Sequence, residues 1–230
     1  EVSRGGGSVQ AGSDAIGGIV ATNDSGPRRH RYGAPRDLII GVEFARADGR
    51  LAKGGGIVVK NVAGYDLPRL MTGSFGSLGV IVAATFKLYP LTGVSRTLVV
   101  ELSSVADLGN LVGRILSSHL TPTALEFATH PLRLLLRFES IEASVEQQCE
   151  TAASMIAEGG SSARAVSGSD EDGLWNEHAR LGLLDRGALL KVSVLPTDLA
   201  DTLGAIERLA GSRGYVAAGR AGSSVFLLRL

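Results

Sequence analysis

Glycine placement constrains this chain more than any other feature. Eighteen of its 31 glycines fall within the first 95 residues and 13 in the remaining 135. A residue without Cβ reaches backbone conformations closed to others and lets groups come close to the main chain. A glycine-dense segment is therefore built around tight turns and exposed amides. The glycines cluster at Gly17-Gly18, Gly54 to Gly56 and Gly73, Gly76, Gly79, separated by apolar β-branched stretches, not low-complexity spacers. Two differently built halves are expected, 1–92 and 93–230, with the break near Pro90 to Gly93.

Composition removes several classes. With 230 residues and 44% hydrophobic side chains the chain can fill a core without staples. Twenty-three basic and 23 acidic residues give zero formal charge, and no basic stripe stands out, so neither nucleic acid nor anionic lipid is an expected partner. The single cysteine, Cys149, rules out an internal disulfide and any multi-cysteine zinc or iron-sulfur site on this chain. No apolar run approaches the ~20 residues of a membrane helix. The N-terminus lacks the apolar core of a signal peptide. A cytoplasmic location is expected, with any contact to the inner face of the membrane made through partners.

Leu38 to Ala47 reads as a strand with Ile40, Val42 and Phe44 on one face, followed by the turn dipeptide Asp48-Gly49 and a returning strand from Arg50 to Lys53. Val80 to Leu88 alternates, with Val80, Val82, Ala84, Phe86 and Leu88 expected to share the buried side. Asp66 fits the N-cap of a short helix through Leu70, with Pro68 in its first turn. The second half reads as strand Thr97 to Leu102, then a helix capped by Ser104 with Asp107 and striped by Val105, Leu108, Leu111, Val112, Ile115 and Leu116. Strands Leu125 to Ala128 and Leu132 to Phe138 come next, then a helix carrying Ile141, Val145, Cys149, Ala152 and Ile156 on one face. A helix near Asp172 to Arg180, strand Leu189 to Leu195, helix Leu199 to Ala210 and two closing strands complete the pattern. This is a split-βαβ, ferredoxin-like α+β layer, with no sequence repeat.

Three segments lie within 22 residues: Ile16 to Asn23 with Gly17-Gly18, Ser25-Gly26-Pro27-Arg28-Arg29, and Arg31 to Asp37 with Tyr32-Gly33. Such glycines let amides approach an anion, Asn23 and Ser25 add side-chain donors, and the arginines add positive potential, an arrangement suited to a pyrophosphate. Tight turns and a solvated arginine face explain the same spacing. Further on, Lys60-Asn61-Val62-Ala63-Gly64-Tyr65-Asp66 leads to Gly73-Ser74-Phe75-Gly76-Ser77-Leu78-Gly79, with glycine at every third position. This is neither a G-x-G-x-x-G fingerprint nor a P-loop. A turn running into a strand could present the main chain of Val80 and Ile81 to the edge of a flat heterocycle, and a sheet corner would use the glycines equally well.

Together these motifs resemble the FAD-binding, GlcE-type family of glycolate oxidase subunits, within the wider vanillyl-alcohol-oxidase (PCMH-type) group of FAD domains, over about residues 15 to 91. The resemblance implies an α+β fold: the second half of a PCMH-type FAD-binding domain, then the ferredoxin-like domain. It also implies that a first FAD subdomain, which family members carry before the Ile-Gly-Gly motif, is missing ahead of Ile16. Cofactor contacts implied by it are Ile16, Gly17, Gly18, Asn23, Ser25, Gly26, Tyr32, Gly33, Gly76, Gly79, Val80 and Ile81. The implied activity is oxidation of short 2-hydroxy acids, glycolate to glyoxylate, by hydride transfer to FAD. Implied partners are a second flavoprotein and an iron-sulfur subunit, without which turnover is not expected. The alternative is a flavin-free scaffold subunit of the same kind of complex.

The catalytic base is not identified by sequence. Among His30, His119, His130 and His178 no pair has metal-ligand spacing, and His30 is the best placed by motif proximity. Trp175, Asn176, Glu177, His178 and Arg180 form a polar-aromatic cluster that helix amphipathicity explains. Cys149 sits at an apolar helical position with no neighbouring base, and no G-x-S-x-G nucleophile motif occurs.

Overall fold

The structure is a computed structural model that describes residues 15–57, 64–181 and 187–230. Two compact units divide these residues between Leu91 and Thr92. Lys60 to Ala63 of the Lys60–Asp66 motif lies outside the described residues.

The first unit runs α1 (Ile16–Thr22), α2 (Arg29–Tyr32), α3 (Pro35–Leu38), β1 (Ile39–Ala45), β2 (Leu51–Gly55), α4 (Leu67–Met71) and β3 (Val80–Phe86). Its three strands form an antiparallel sheet in the order β2-β1-β3. The Asp48-Gly49 turn closes as expected: Gly49 N–H donates to Arg46 O, Gly49 takes φ 78°, and Arg46 N–H donates to Arg50 O. That is a type I turn followed by a left-handed glycine, a common hairpin solution. Asp66 caps α4 by accepting from Arg69 N–H, and Pro68 sits in its first turn.

The alternation expected along β1 and β3 is broken twice. Ile39 pairs with Phe86 and Gly41 with Thr85; Glu43 pairs with Ala83 and Phe44 with Ile81. Ile40 on one strand and Val82 on the other are thus extra residues, and each bulge reverses the facing of the residues beyond it. The core is Val20, Ile39, Val42, Phe44 and Met71, joined by Ile81, Ala84 and Phe86. Val80 and Val82, expected inside, are instead exposed, Val80 by 68%.

The second unit runs β4 (Val94–Glu101), α5 (Val105–Leu116), β5 (Ala124–Thr129), β6 (Leu132–Ser140), α6 (Glu142–Glu158), β7 (Ala163–Val166), α7 (Gly168–Arg180), β8 (Leu189–Ser193), α8 (Leu199–Ala210), β9 (Val216–Arg220) and β10 (Val225–Arg229). One seven-stranded antiparallel sheet takes the order β7-β4-β6-β5-β9-β10-β8. Its first four strands have the split-βαβ order of a ferredoxin-like layer. The chain then makes β8-α8-β9-β10 with the same β-α-β-β order as β4-α5-β5-β6, and the two sets meet where β5 pairs with β9. The repeat is one of topology, invisible as sequence similarity.

The main core lies under α5, α6 and α8 and includes Leu108, Ile115, Phe127, Leu136, Ile156 and Leu203. Ser104 caps α5 by accepting from Asp107 N–H. Val145, Cys149, Ala152 and Ile156 are buried along α6 as expected, but Ile141 is not. It is the N-cap residue in extended conformation, and its side chain leaves the helical stripe, 72% exposed. Leu116, the last residue of α5, is also exposed.

Phe127 and Phe226 meet edge to face with centroids 5.4 Å apart in the centre of the core. Truncating Phe226 to alanine is expected to cost the second unit about 3–5 kcal/mol, measured as a lowered denaturation midpoint in the fluorescence of Trp175, the one tryptophan of the chain. Burial pushes the Cys149 thiol above its ordinary range, with Arg96 opposing and Glu171 reinforcing. Thiol reagents are therefore expected to label Cys149 only as the second unit unfolds, with labelling tracking the same midpoint.

Candidate functional site

The two glycine-rich regions of the first unit fold against each other. Helix α1 ends at Asn23, which adopts the left-handed conformation at φ 52°. The carbonyls at that end are taken by the second glycine region: Gly73 N–H donates to Val20 O at 3.0 Å and Phe75 N–H to Ala21 O at 2.8 Å. At the other end of α1, a Cβ on Gly17 would stand 3.3 Å from Ile81 O, so the helix lies on the β3 main chain at its first turn. Gly18 and Gly76 have open space where a Cβ would project. Gly79 could not carry one, since it would come within 2.6 Å of Ala45 O.

Around this seam the surface is apolar and main-chain rich. Ile16, Phe75, Leu78 and Val80 are all exposed. Phe75 has φ 52°, a left-handed conformation costing roughly 1–2 kcal/mol for a non-glycine residue, and its ring is 78% exposed. Strain retained at an exposed aromatic is a pointer to function. Phe75 is not among the residues expected from sequence, because a positive φ leaves no compositional trace at a phenylalanine. Val80 and Ile81 pair with Ala45 and Phe44 of β1, on a strand at the edge of its sheet rather than a buried one.

The remaining predicted residues divide. Asn23 Oδ1 accepts from Arg36 N–H at 3.2 Å, and Ser25 Oγ from Arg29 Nη1 at 3.3 Å, so both side chains tie the loop to itself. Gly26 O accepts from Arg29 N–H at the start of α2. Tyr32 stacks at a tilt on Tyr89, 5.2 Å between centroids, and Lys87 lies 4.8 Å over the Tyr89 ring. Gly33 has φ 80°, and a Cβ there would strike the Asp37 carboxylate at 2.7 Å. That carboxylate reaches back to accept from Ala34 N–H and closes the first turn of α3.

The second unit carries a different constellation, on the sheet face opposite its main core. Helix α7 covers this face with Trp175, which packs on Val99, Ala124, Leu135 and Val166. Glu171, buried beside it, accepts from Ser95 Oγ at 2.6 Å and Thr97 Oγ1, and Arg137 Nε lies 3.2 Å from it. Trp175 Nε1–H donates to Thr97 Oγ1 at 2.9 Å. One turn on, His178 is 6% exposed and its Nε2 lies 3.2 Å from Glu126 Oε2, with Glu126 4% exposed. A carboxylate only accepts, so the shared proton sits on His178 Nε2. Arg133 Nη2 donates to Glu177 at 2.8 Å. The cluster that amphipathicity explains in sequence is thus half inside the protein, and His178 rather than His30 is the histidine held by a buried carboxylate. Glu126 gives no sequence signal because it stands within a fully buried strand, 52 residues from its partner.

Among the described residues no group of three or more His, Cys, Asp or Glu side chains could hold a metal ion, and no helix is long and apolar enough to cross a membrane.

Comparison with known proteins agrees with this geometry. Residues 5–55 match the FAD binding domain family. Glycolate oxidase subunit GlcD of Bacillus subtilis is 37% identical over 121 residues, 53% of this chain and 26% of that protein. D-lactate dehydrogenase of Archaeoglobus fulgidus is 38% identical over 112 residues, 49% of this chain and 25% of that protein. Glycolate oxidase subunit GlcE of Escherichia coli is 45% identical over 87 residues, 38% of this chain and 25% of that protein. The chain spans about a quarter of the length of these curated relatives. Among solved structures, alkyldihydroxyacetonephosphate synthase superposes with a TM-score of 0.71 at 15% identity, covering 93% of this chain and 48% of that one. The α+β fold is that of PCMH-type FAD-binding oxidoreductases. The chain carries FAD-binding domain sequence of the kind found in glycolate oxidase and D-lactate dehydrogenase, and FAD is the cofactor of that domain.

Gly33→Ala is expected to cost the first unit about 2 kcal/mol or more, from the positive φ and the displaced Asp37 carboxylate. Thermal unfolding followed by circular dichroism measures it.

Proposed function

We propose that this chain is a GlcE-type subunit of a glycolate-oxidase-like complex, holding part of the FAD site for oxidation of short 2-hydroxy acids such as glycolate to glyoxylate. The observation carrying this reading is the junction of the two glycine regions, where Gly73 and Phe75 amides bond the end of α1 and Gly17 rests on Ile81 O. Residues far apart in sequence thereby form one stretch of accessible main chain, which suits a long ligand with a diphosphate and flat rings.

The residues present fit such a group. Gly18 and Gly76 leave space at the main chain, and the exposed side chains of Ile16, Phe75, Leu78 and Val80 supply apolar flanks. On this reading Ile16 to Gly18, Asn23, Ser25-Gly26 and Tyr32-Gly33 hold the cofactor from one side, and Gly76 with the Gly79 to Ile81 main chain from the other. Bound FAD supplies an acceptor for the hydride from the α-carbon of the acid. The chain's own part is positioning: Asp37 and Asn23 fix the loop through Ala34 and Arg36 amides, and the Gly73–Phe75 bonds fix the second region against it.

Turnover is assigned to an assembly with a second flavoprotein and an iron-sulfur subunit, in the cytoplasm and reaching the membrane only through partners. The kinship with both GlcD and GlcE proteins of glycolate oxidase supports this.

Co-expression with such partners tests the reading through visible flavin absorbance and glycolate-dependent dye reduction. Gly17→Val, which forces a branched side chain onto Ile81 O, is expected to lower flavin occupancy about tenfold, equivalent to ~1.4 kcal/mol. Gly113→Ala, on an open face of α5, should leave it unchanged. A colourless, inactive complex that still assembles would replace this reading with that of a flavin-free scaffold.

A further inference from the structure

In the second unit, buried polar atoms without hydrogen-bond partners gather under the last turn of α7: Glu126 Oε1, His178 Nδ1 and Arg133 Nε. Each side chain already spends one bond, Glu126 on His178 and Arg133 on Glu177. Leaving a buried polar atom unsatisfied costs about 1–3 kcal/mol. Native structures rarely keep such groups together unless something binds them. The contrast with the neighbouring turn is sharp, because the Glu171 carboxylate there receives bonds from two hydroxyls.

The geometry places the three atoms within one neighbourhood. Glu126 and Ala128 are two apart on β5, and Ala128 pairs directly with Arg133 of β6, so Glu126 and Arg133 are diagonal neighbours on one sheet face. Consecutive residues of α7, Glu177 and His178, bind them. Arg220 of β9 stands directly opposite Glu126 on the other side. With its proton fixed on Nε2 by Glu126, His178 offers an Nδ1 lone pair. Arg133 offers an Nε–H.

We infer that His178, oriented by Glu126, and Arg133 form a site for a small hydroxycarboxylate, its hydroxyl donating to His178 Nδ1 and its carboxylate accepting from Arg133 Nε–H. The hydroxyl proton then faces the one group able to take it. The choice of a 2-hydroxy acid over other hydroxyl-bearing anions rests on the function proposed above. The residue assignment rests on the second unit alone. The charged groups facing His178 are Glu126 from β5, Arg133 from β6, Arg220 from β9 and Glu177 from its own helix.

The test is a titration of glycolate into the 15N-labelled protein, reading the imidazole nitrogens of His178 by NMR. The expected result is a saturable shift of Nδ1 with Nε2 little moved. Glu126→Gln and His178→Asn should weaken glycolate binding about tenfold or more, the scale of one charge-assisted hydrogen bond. Glu158→Gln, on the exposed Arg114–Glu158 pair, should leave it unchanged. Should a variant fail to fold, the wild-type Nδ1 signal alone decides. An Nδ1 signal that ignores glycolate, or full affinity in a folded His178→Asn variant, overturns the inference. Flavin absorbance of the same wild-type sample is scored separately. Bound flavin with an unresponsive His178 defeats only this inference, while a responsive His178 in a colourless protein defeats only the cofactor reading.

Discussion

Main chain lying directly against main chain, at a distance no side chain permits, is the constraint on which both units are built. A Cβ on Gly55 would run into Ile40 O, one on Gly79 into Ala45 O, and one on Gly219 into the Phe226 backbone. In the first unit these approaches close the β2-β1-β3 sheet at its glycine-bearing ends and leave α1 seated on β3. The same closeness puts amides of Gly73 and Phe75 on carbonyls at the end of α1. A helix end normally leaves such carbonyls to water or to a cap. Here the second glycine region serves as the cap, which is why two regions so far apart in sequence behave as one surface.

The second unit uses closeness for a different end. Gly109 of α5 would bring a Cβ within 2.8 Å of the Ala200 Cβ of α8, so the equivalent helices of the two β-α-β-β sets pack with almost nothing between them. Joined at β5 and β9, the two sets share one sheet and one core. Each set alone would leave an apolar face uncovered, and the shared sheet removes that cost at the seam.

Much of this could be read from the residues. Alternation and capping gave β4 to β6, α4, α5 and α8 nearly to the residue, because Ser104 and Asp66 make the local bonds their types favour. The facing of β3 could not be read, since a bulge at Val82 is settled by the partner strand and not by the strand's own pattern. Ile141 escapes for a similar reason: one residue of extended backbone at the N-cap takes it off the stripe. The Gly17 and Gly73 regions were legible as candidates, but their meeting depends on tertiary bonds. The Glu126–His178 pair was not legible at all, for it joins a strand and a helix that periodicity treats separately.

That pair sits where the topological repeat fails. The first β-α-β-β set is completed by α6 and β7, and α7 then crosses to the opposite face to cover β4 and β6; among the described residues the second set has no counterpart to this. The polar face over β4 and β6 is therefore sealed, and a buried Glu171 is tolerable there because hydroxyls and Arg137 satisfy it. At the far end of α7 the cover stops beside β5 and β9, the seam of the two sets. A buried ion pair contributes little net stability even when complete, and leaving one partner uncompensated costs about 3–5 kcal/mol. A sequence selected only to hold the sheet together would fill this position with apolar side chains, as it does at Leu135 and Val99 alongside. Glu126, His178 and Arg133 at the border are thus better explained by what they can hold than by what they stabilise.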